Sequence, residues 1–225
     1  MDLTRHSTMF DNEKLKTTRI QVIGAGGIGS FAVNTLAKMG FENIQVWDKD
    51  VVEEHNIPNQ NYQLSQTDVV KVEALQFNVM RYTGTDLDVR NDFWDGKDVS
   101  YHPNIIITTV DSMDIRMGLW EGFKTVLSPD KNLWFLDARM SSRNMSLYVM
   151  NSQNKRSIDK YVKSLYPSSE ALQEPCTAKS IIHTCQACAY MIGHVVHGII
   201  NDEPIYTSYH GDLMNFHLTK EDVRV

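Results

Sequence analysis

A glycine-rich turn is the stretch of this sequence whose residue types and spacing most clearly indicate chemistry. It lies between a short apolar run at 20–23 and a helical pattern that begins at Ile28. Its four glycines are Gly24, Gly26, Gly27 and Gly29. Glycine lets the backbone bend sharply, and the missing side chains let a phosphate group approach the N–H groups at the start of a helix. Asp48 follows a second apolar run at 43–47, where an acid that contacts ribose hydroxyls is expected in a strand–helix–strand nucleotide unit. The pattern predicts a nucleotide site rather than a tight turn that binds nothing.

Two further acids follow apolar runs. Asp111 comes after the β-branched run at 105–110, and Asp137 comes after the run at 133–136. Runs of this kind are typical of strands that are buried on both faces of a parallel sheet. Because ligands bind at the carboxyl ends of such strands, we expect Asp48, Asp111 and Asp137 to converge near the glycine turn.

The elements that must position these residues alternate along the chain. The sequence predicts helices at 28–39, 68–82, 112–126 and 180–200, and the apolar positions of the second are Val69, Val72, Leu75, Phe77 and Val79. Between them lie strands at 20–23, 43–47, 86–89, 105–110 and 133–136, and an antiparallel strand is predicted at 146–150. This alternation predicts an α/β fold: a Rossmann-like, mostly parallel sheet with helices on both faces and antiparallel strands at the C-terminal edge.

Three segments lie outside these helices and parallel strands. The stretch 48–65 lacks a clear period and is interpreted as an active-site loop, and 204–218 alternates well enough for one or two edge strands. The polar stretch 151–177 holds two prolines and is predicted to be a mobile crossing segment. Without repeats or a linker, residues 1–225 are expected to form one domain.

Composition limits the function classes. The formal net charge of −6 argues against a large nucleic-acid surface, and no apolar run approaches the roughly 18 residues that a membrane helix needs. The first residues are polar and do not resemble a secretory signal, so a cytoplasmic protein is expected. Its three cysteines, Cys176, Cys185 and Cys188, are then expected to be thiols.

Several motifs, in order along the chain, resemble the ThiF/MoeB group, the ubiquitin-activating-enzyme-like adenylyltransferases. The turn GAGGIGS has the doubled glycine and following serine of that family, and the run VWDKDVVEEHNIPNQ at 46–60 is similar to its Asp-x-Asp…Asn-x-x-Arg-Gln segment. Lys71 in VVKVEAL, and Asp111 in TTVDSMDIR with Arg116 after it, lie where the family has a lysine, an acid and an arginine. Cys176 in EPCTAKS and the closing run YTSYHGDLMNFHLT at 206–219 extend the resemblance over nearly the whole chain.

The resemblance implies ATP-dependent activation of a carboxylate, with Mg²⁺ held by Asp111 against the phosphates. Lys71 would lie on the triphosphate and Asp48 on the ribose. The resemblance assigns uncharged phosphate contacts to Asn56 and Gln60 and leaves Asp50 as a metal ligand, a residue that orients the loop, or a solvated acid. The implied partner is a ubiquitin-like or sulfur-carrier protein or a peptide.

Two implied roles concern residues with ordinary alternatives. Arg5 resembles an early arginine that reaches the neighbouring subunit's ATP in dimeric members, which implies a homodimer; a frayed terminus is the alternative. Cys176 resembles a loop cysteine that accepts the acyl group or takes part in persulfide chemistry; an idle thiol is the alternative.

The sequence departs from the family pattern at two places. Asn59 stands where the family has an arginine, so one positive charge on the triphosphate is missing, and Arg5 or Arg116 is the candidate replacement. Only one Cys-x-x-Cys pair is present, at 185–188, where a buried helix is expected; packing is favoured over a zinc site. A nicotinamide-dependent oxidoreductase and an inactive nucleotide-binding partner subunit remain as alternatives.

Overall fold

The computed structural model describes residues 1–4, 6, 8–170, 181–221 and 225. Within these residues the α-helices are α1 (Asn12–Thr17), α2 (Gly27–Met39), α3 (Lys71–Thr83), α4 (Met113–Phe123), α5 (Lys155–Lys163) and α6 (Ile182–Ile200). The strands are β1 (Arg19–Ile23), β2 (Asn43–Trp47), β3 (Asp88–Arg90), β4 (Ile105–Thr108), β5 (Trp134–Met140), β6 (Asn144–Asn151), β7 (Ser208–Asp212) and β8 (His217–Lys220). Short 3-10 turns lie at Glu54–Asn56, Leu64–Gln66 and Ser168–Glu170. None of the described helices is both long enough and apolar enough to cross a membrane.

The strands form one mixed sheet in the order β3-β2-β1-β4-β5-β6-β7-β8. The first five strands are parallel, with β1 in the middle: Ile20 pairs with Ile44 of β2 and with Ile105 of β4. Strands β6, β7 and β8 continue the sheet antiparallel at the C-terminal side. The predicted fold class is confirmed.

Helices cover both faces of the sheet. On one face α2, α3 and α6 enclose a core that includes Val22, Val46 and Ile107. On the other face α4 and α5 pack against β5, with Trp120 and Tyr161 around it. All four residues of β4 are buried, which explains its unbroken β-branched sequence.

Helix α3 begins later than predicted, at Lys71 rather than near position 68. The preceding residues form a small antiparallel bridge between Val51 and Val70, and the Asp68 N–H donates to the Val52 carbonyl at 2.8 Å. Of the five predicted apolar positions, Val72, Leu75 and Val79 are buried, whereas Val69 and Phe77 are exposed, Phe77 by 56%. The predicted apolar period continued onto the solvent face of α3, where the Arg81 guanidinium lies over the Phe77 ring.

The prediction of a mobile crossing segment at 151–177 is wrong for its first part. Helix α5 occupies residues 155–163, and the Asn154 side chain caps it by accepting a hydrogen bond from the Ser157 N–H at 3.0 Å. Tyr161 of this helix is buried and contacts Phe135 edge to face. Residues 171–177 lie outside the described part of the chain.

Candidate active site

The glycine turn connects β1 to α2, and its first two residues are bound within the protein. Gly24 has φ +98, its N–H donates to the Trp47 carbonyl at 2.8 Å, and its carbonyl accepts from Thr109 Oγ1 at 2.9 Å. The Ala25 N–H donates to Asp48 Oδ2 at 2.7 Å, and the Ala25 carbonyl accepts from the Tyr62 hydroxyl at 2.6 Å. Residues that follow β2 and β4, the two neighbours of β1, therefore both hold the turn.

Two of the glycines differ in how much space a side chain would have. A Cβ on Gly29 would lie 1.9 Å from the Gly24 carbonyl oxygen, so the close approach of α2 to the turn requires glycine there. A Cβ on Gly26 would meet nothing within 4 Å, so this residue faces open space. Gly26 is the N-cap of α2 and has no side chain to bond the N–H groups of the first turn.

The start of α2 is consequently suited to an anion. The first N–H groups of a helix have no partner within the helix, and the helix dipole adds partial positive charge at the same end. A phosphate over Gly26 would meet backbone donors and no side chain.

Lys71 and Asp50 form an ion pair beside the turn. Lys71 Nζ lies 3.1 Å from Asp50 Oδ2, and the Lys71 side chain is only 8% exposed, whereas that of Asp50 is 59% exposed. The Lys71 N–H also donates to the Asp50 carbonyl at 2.9 Å, which fixes the start of α3 against the loop that follows β2. Because the Asp48 carboxylate accepts from the Asp50 N–H at 2.8 Å, the two acids and the lysine belong to one hydrogen-bonded unit.

The loop after β2 carries the two predicted amides and is bound to the first turn of α2. Asn56 is buried and caps a 3-10 turn, with Oδ1 accepting from the Glu53 N–H at 3.0 Å. The Gln60 N–H donates to the Asn56 carbonyl at 2.9 Å, and Gln60 Oε1 is a buried acceptor with no hydrogen bond to the described residues. The Asn61 N–H donates to Ser30 Oγ at 3.0 Å, so the loop is joined to the first turn of α2.

Asp111 lies three residues beyond the end of β4 and is exposed. Its neighbour Ser112 caps α4, with Oγ accepting from the Ile115 N–H at 3.5 Å. Thr109, two residues before Asp111, contacts the glycine turn directly. An exposed carboxylate at this position fits Mg²⁺, which is commonly held by one or two carboxylates together with phosphate oxygens.

Asp137 is not the strand-end acid that the sequence predicts. Strand β5 continues to Met140, and Asp137 is 0% exposed within it. Its carboxylate accepts from Arg116 Nε at 2.9 Å, from Arg139 Nε at 2.8 Å and from Thr108 Oγ1 at 3.0 Å. A carboxylate can be buried here because two guanidinium groups neutralise it.

Arg116, predicted as a nucleotide contact, lies in this same buried group. Besides Asp137, its guanidinium donates to the carbonyls of Val110 and Ala138, and its side chain is 6% exposed. The structure thus separates Arg116 from the exposed surface of the turn and joins it to the residue that precedes Asp111.

The remaining predicted residues divide into two groups. Arg5 and Cys176 lie outside the described residues. Cys185 and Cys188 are buried in α6, and burial raises the pKa of Cys185 to about 11 and that of Cys188 to about 12. Within the described chain, no group of three His, Cys, Asp or Glu side chains is placed to hold a metal ion.

Sequence reasoning missed Tyr62 and Thr109, whose hydroxyls hold the turn. Burial, followed by the negative charges of Asp48 and Asp50, raises the pKa of Tyr62 well above its usual value, so its hydroxyl stays protonated as a donor. An aromatic residue within the amide-rich run at 56–63 was the available signal. Nothing in the sequence distinguishes Thr109 from the threonine before it.

Comparisons with known proteins show the family and the fold. The model of the ThiF family matches residues 5–225. Ubiquitin-like modifier-activating enzyme 5 of Gallus gallus is 29% identical over 139 residues, which cover 53% of this chain and 34% of that protein. The chain therefore spans about a third of the length of this curated relative.

Solved structures share the fold at low identity. PaaA has 16% identity and a TM-score of 0.74, with 95% of this chain and 66% of that chain covered. MccB of E. coli, in a structure with ATP, has 16% identity and a TM-score of 0.69, with 93% and 65% covered.

Proposed function

The chain belongs to the ThiF family, and we propose that its site activates a carboxylate by adenylation with ATP. The observation that carries the proposal is the arrangement around Gly26, where open helix N–H groups lie on the same edge of the sheet as Asp48, Lys71 and Asp111. A nucleoside triphosphate with its metal ion has the ribose, phosphate and metal that these groups can bind.

Each group has one proposed task. The N–H groups at the start of α2 bind a phosphate, Asp48 accepts from the ribose hydroxyls, and Lys71 exchanges Asp50 for a phosphate oxygen. Asn56 and Gln60 would add uncharged donors to the phosphates. Because Gln60 Oε1 is buried without a hydrogen bond to the described residues, we expect the Gln60 side chain to rearrange when a ligand binds. Asp111 is the proposed Mg²⁺ ligand, and the ion would neutralise charge on the phosphates.

The chemistry needs positioning more than a covalent group from the protein. An ionised carboxylate oxygen attacks the α-phosphorus, the bond from that phosphorus to the bridging oxygen of the β-phosphate breaks, and pyrophosphate leaves with the bonding electrons. No proton transfer is required because the attacking carboxylate is already deprotonated. The products are an acyl-adenylate and pyrophosphate.

The proposed carboxylate is the C-terminus of a ubiquitin-like or sulfur-carrier protein, or of a peptide. The Gallus gallus relative is a ubiquitin-like modifier-activating enzyme, which supports the first class, and MccB has been solved with AMPCPP and MccA. Cys176 is the proposed acceptor of the activated group in a later step, a role supported by the burial and raised pKa of the other two cysteines. Arg5 is proposed to act across a homodimer.

ATP–pyrophosphate exchange tests the adenylation proposal. With Mg²⁺ and a panel of carrier proteins and peptides, labelled pyrophosphate should enter ATP only when a substrate with a free C-terminal carboxylate is present. The same substrates with an amidated C-terminus are the matched control and should support no exchange. Binding of ATP without exchange for any substrate would favour an inactive partner subunit, and binding of a nicotinamide dinucleotide in preference to ATP would contradict the proposal.

A further inference from the structure

Tyr62 reaches the glycine turn from a loop 37 residues away along the chain. Its hydroxyl donates to the Ala25 carbonyl at 2.6 Å, and the residue is only 7% exposed. We infer that Tyr62 is a positioning residue that aims the Gly26 N–H at the phosphate of the nucleotide. The inference rests on the proposed function for its ligand, ATP, and on geometry for its mechanism.

The first peptide plane of the turn is held from both sides. The Gly24 carbonyl accepts from Thr109 and the Ala25 N–H donates to Asp48, and these two groups belong to the same planar peptide unit. Rotation of this plane would break both hydrogen bonds. Its orientation is therefore fixed without Tyr62.

The second peptide plane is held on its carbonyl side by Tyr62. It contains the Ala25 carbonyl, which accepts from Tyr62, and the Gly26 N–H, which donates no hydrogen bond within the described part of the chain. In a trans peptide the carbonyl and the N–H point in opposite directions. Fixing the carbonyl toward Tyr62 consequently fixes the Gly26 N–H away from it.

Gly26 leaves room for a rotation of this plane. It has no side chain, and even an added Cβ would meet nothing within 4 Å. A glycine on one side of a peptide plane lowers the barrier to its reorientation because glycine populates both signs of φ. The Tyr62 hydrogen bond is thus the interaction that selects one orientation.

The loop that carries Tyr62 is hydrogen-bonded to two helices. The N–H of the preceding residue, Asn61, donates to Ser30 Oγ in α2 at 3.0 Å, and the Asn61 carbonyl accepts from Asn78 Nδ2 in α3 at 3.2 Å. Asn78 is buried and also bonds Gln66. The tyrosine hydroxyl is therefore fixed relative to both helices that border the site.

The test removes only the hydroxyl, with Tyr62→Phe, and uses Tyr101→Phe as the matched control. Tyr101 is half-buried near the amino end of β1, away from the glycine turn, and its backbone carbonyl accepts a hydrogen bond from the Arg19 guanidinium. In nucleotide-free protein, ¹⁵N relaxation dispersion should show exchange at Gly26 in Tyr62→Phe and none in the wild type or the control. Calorimetry should show Mg-ATP binding weakened about tenfold in Tyr62→Phe, the effect of one lost hydrogen bond, and less than about twofold in the control.

In pyrophosphate exchange, Tyr62→Phe should raise the KM for ATP and leave the KM for the carrier unchanged, a separation that a general loss of stability does not produce. A Gly26 signal without dispersion in Tyr62→Phe overturns the inference, and so does an unchanged affinity for ATP. Failure of the wild type to bind ATP would instead contradict the proposed function, and the Gly26 measurement would still decide the role of Tyr62.

Discussion

At the scale of single residues, the site combines side chains that are proposed to bind a ligand with others that hold the backbone. Asp48 is proposed to do both: it would accept from the ribose hydroxyls, and it binds the Ala25 and Asp50 N–H groups. The sequence predicted the first role from spacing. The second depends on the turn of the chain after β1, which brings Ala25 to within 2.7 Å of the carboxylate.

The glycines of the turn provide a matched pair of substitutions. Gly26→Ala should lower the free energy of unfolding by only about 1 kcal/mol, the cost of alanine at an N-cap, because the new Cβ meets no protein atom within 4 Å. It should weaken ATP binding because the Cβ enters the proposed phosphate space. Gly29→Ala should destabilise the fold by more than about 3 kcal/mol, because its Cβ would lie 1.9 Å from a backbone oxygen. Denaturant unfolding and calorimetry measure the two effects. Wild-type ATP affinity in a folded Gly26→Ala protein would place the phosphate elsewhere.

At the scale of elements, the predictions are confirmed where the apolar pattern is strong, as in α2 and in the first four residues of the strand predicted at 105–110. The C-caps of α2 and α3 are glycines in the left-handed region, Gly40 with φ +106 and Gly84 with φ +77, and a glycine just after an apolar period is a typical sequence signal for the end of a helix. Helix α5 was missed because its charged sequence has a narrow apolar side, with Tyr161 as its one large, fully buried side chain. The helix is stabilised by packing of Tyr161 against β5, a tertiary contact that the local sequence pattern does not predict.

The ion pair of Arg116 and Asp137 joins α4 to β5 and lies next to the loop that carries Asp111. Arg116→Met should destabilise the protein by about 3–5 kcal/mol, because it leaves a buried carboxylate with one of its two arginines removed. Arg143→Met changes an exposed arginine and should alter stability by less than about 0.5 kcal/mol. Urea unfolding of both variants makes the comparison. Equal stability of the two variants would show that Arg139 alone is enough to neutralise the buried Asp137 carboxylate.

At the scale of the whole molecule, the order of strands was predictable as a class because parallel strands that alternate with helices admit few arrangements. The convergence of Asp48 and the turn followed from that order. The departure of Asp137 did not, since the length of β5 is set by its pairing with β6 from Trp134 to Met140. Hydroxyl contacts such as those of Tyr62 and Thr109 join residues far apart in the chain, and no periodic sequence pattern predicts them.

The antiparallel side of the sheet predicts a pH dependence of stability. His210 contacts Ser146 and Ser208, faces Tyr148 and lies 3.9 Å from Glu221. Burial, followed by the charges of Lys160 and Arg139, lowers its pKa below the usual value. The unfolded chain then binds the proton more readily than the fold does, so stability is lost as pH falls below about 6.5.

His210→Gln should therefore show a smaller decrease in Tm between pH 7.5 and pH 5 than the wild type does, because it lacks the titrating imidazole. Thermal unfolding at several pH values checks this. An equal or steeper decrease in the variant would show that the Glu221 carboxylate outweighs burial and stabilises the protonated ring.

The most direct test of the account is pyrophosphate exchange by Asp111→Ala beside Asp114→Ala. Asp114 is an exposed acid three residues farther along, whose carboxylate accepts from the Ser168 N–H at 3.0 Å. With a substrate that supports exchange in the wild type, we expect Asp111→Ala to remain folded and to lose at least about 100-fold in rate, because the metal-held charge neutralisation is gone. Asp114→Ala should keep a rate close to that of the wild type. A folded Asp111→Ala protein that exchanges pyrophosphate at the wild-type rate would contradict the proposed adenylation site.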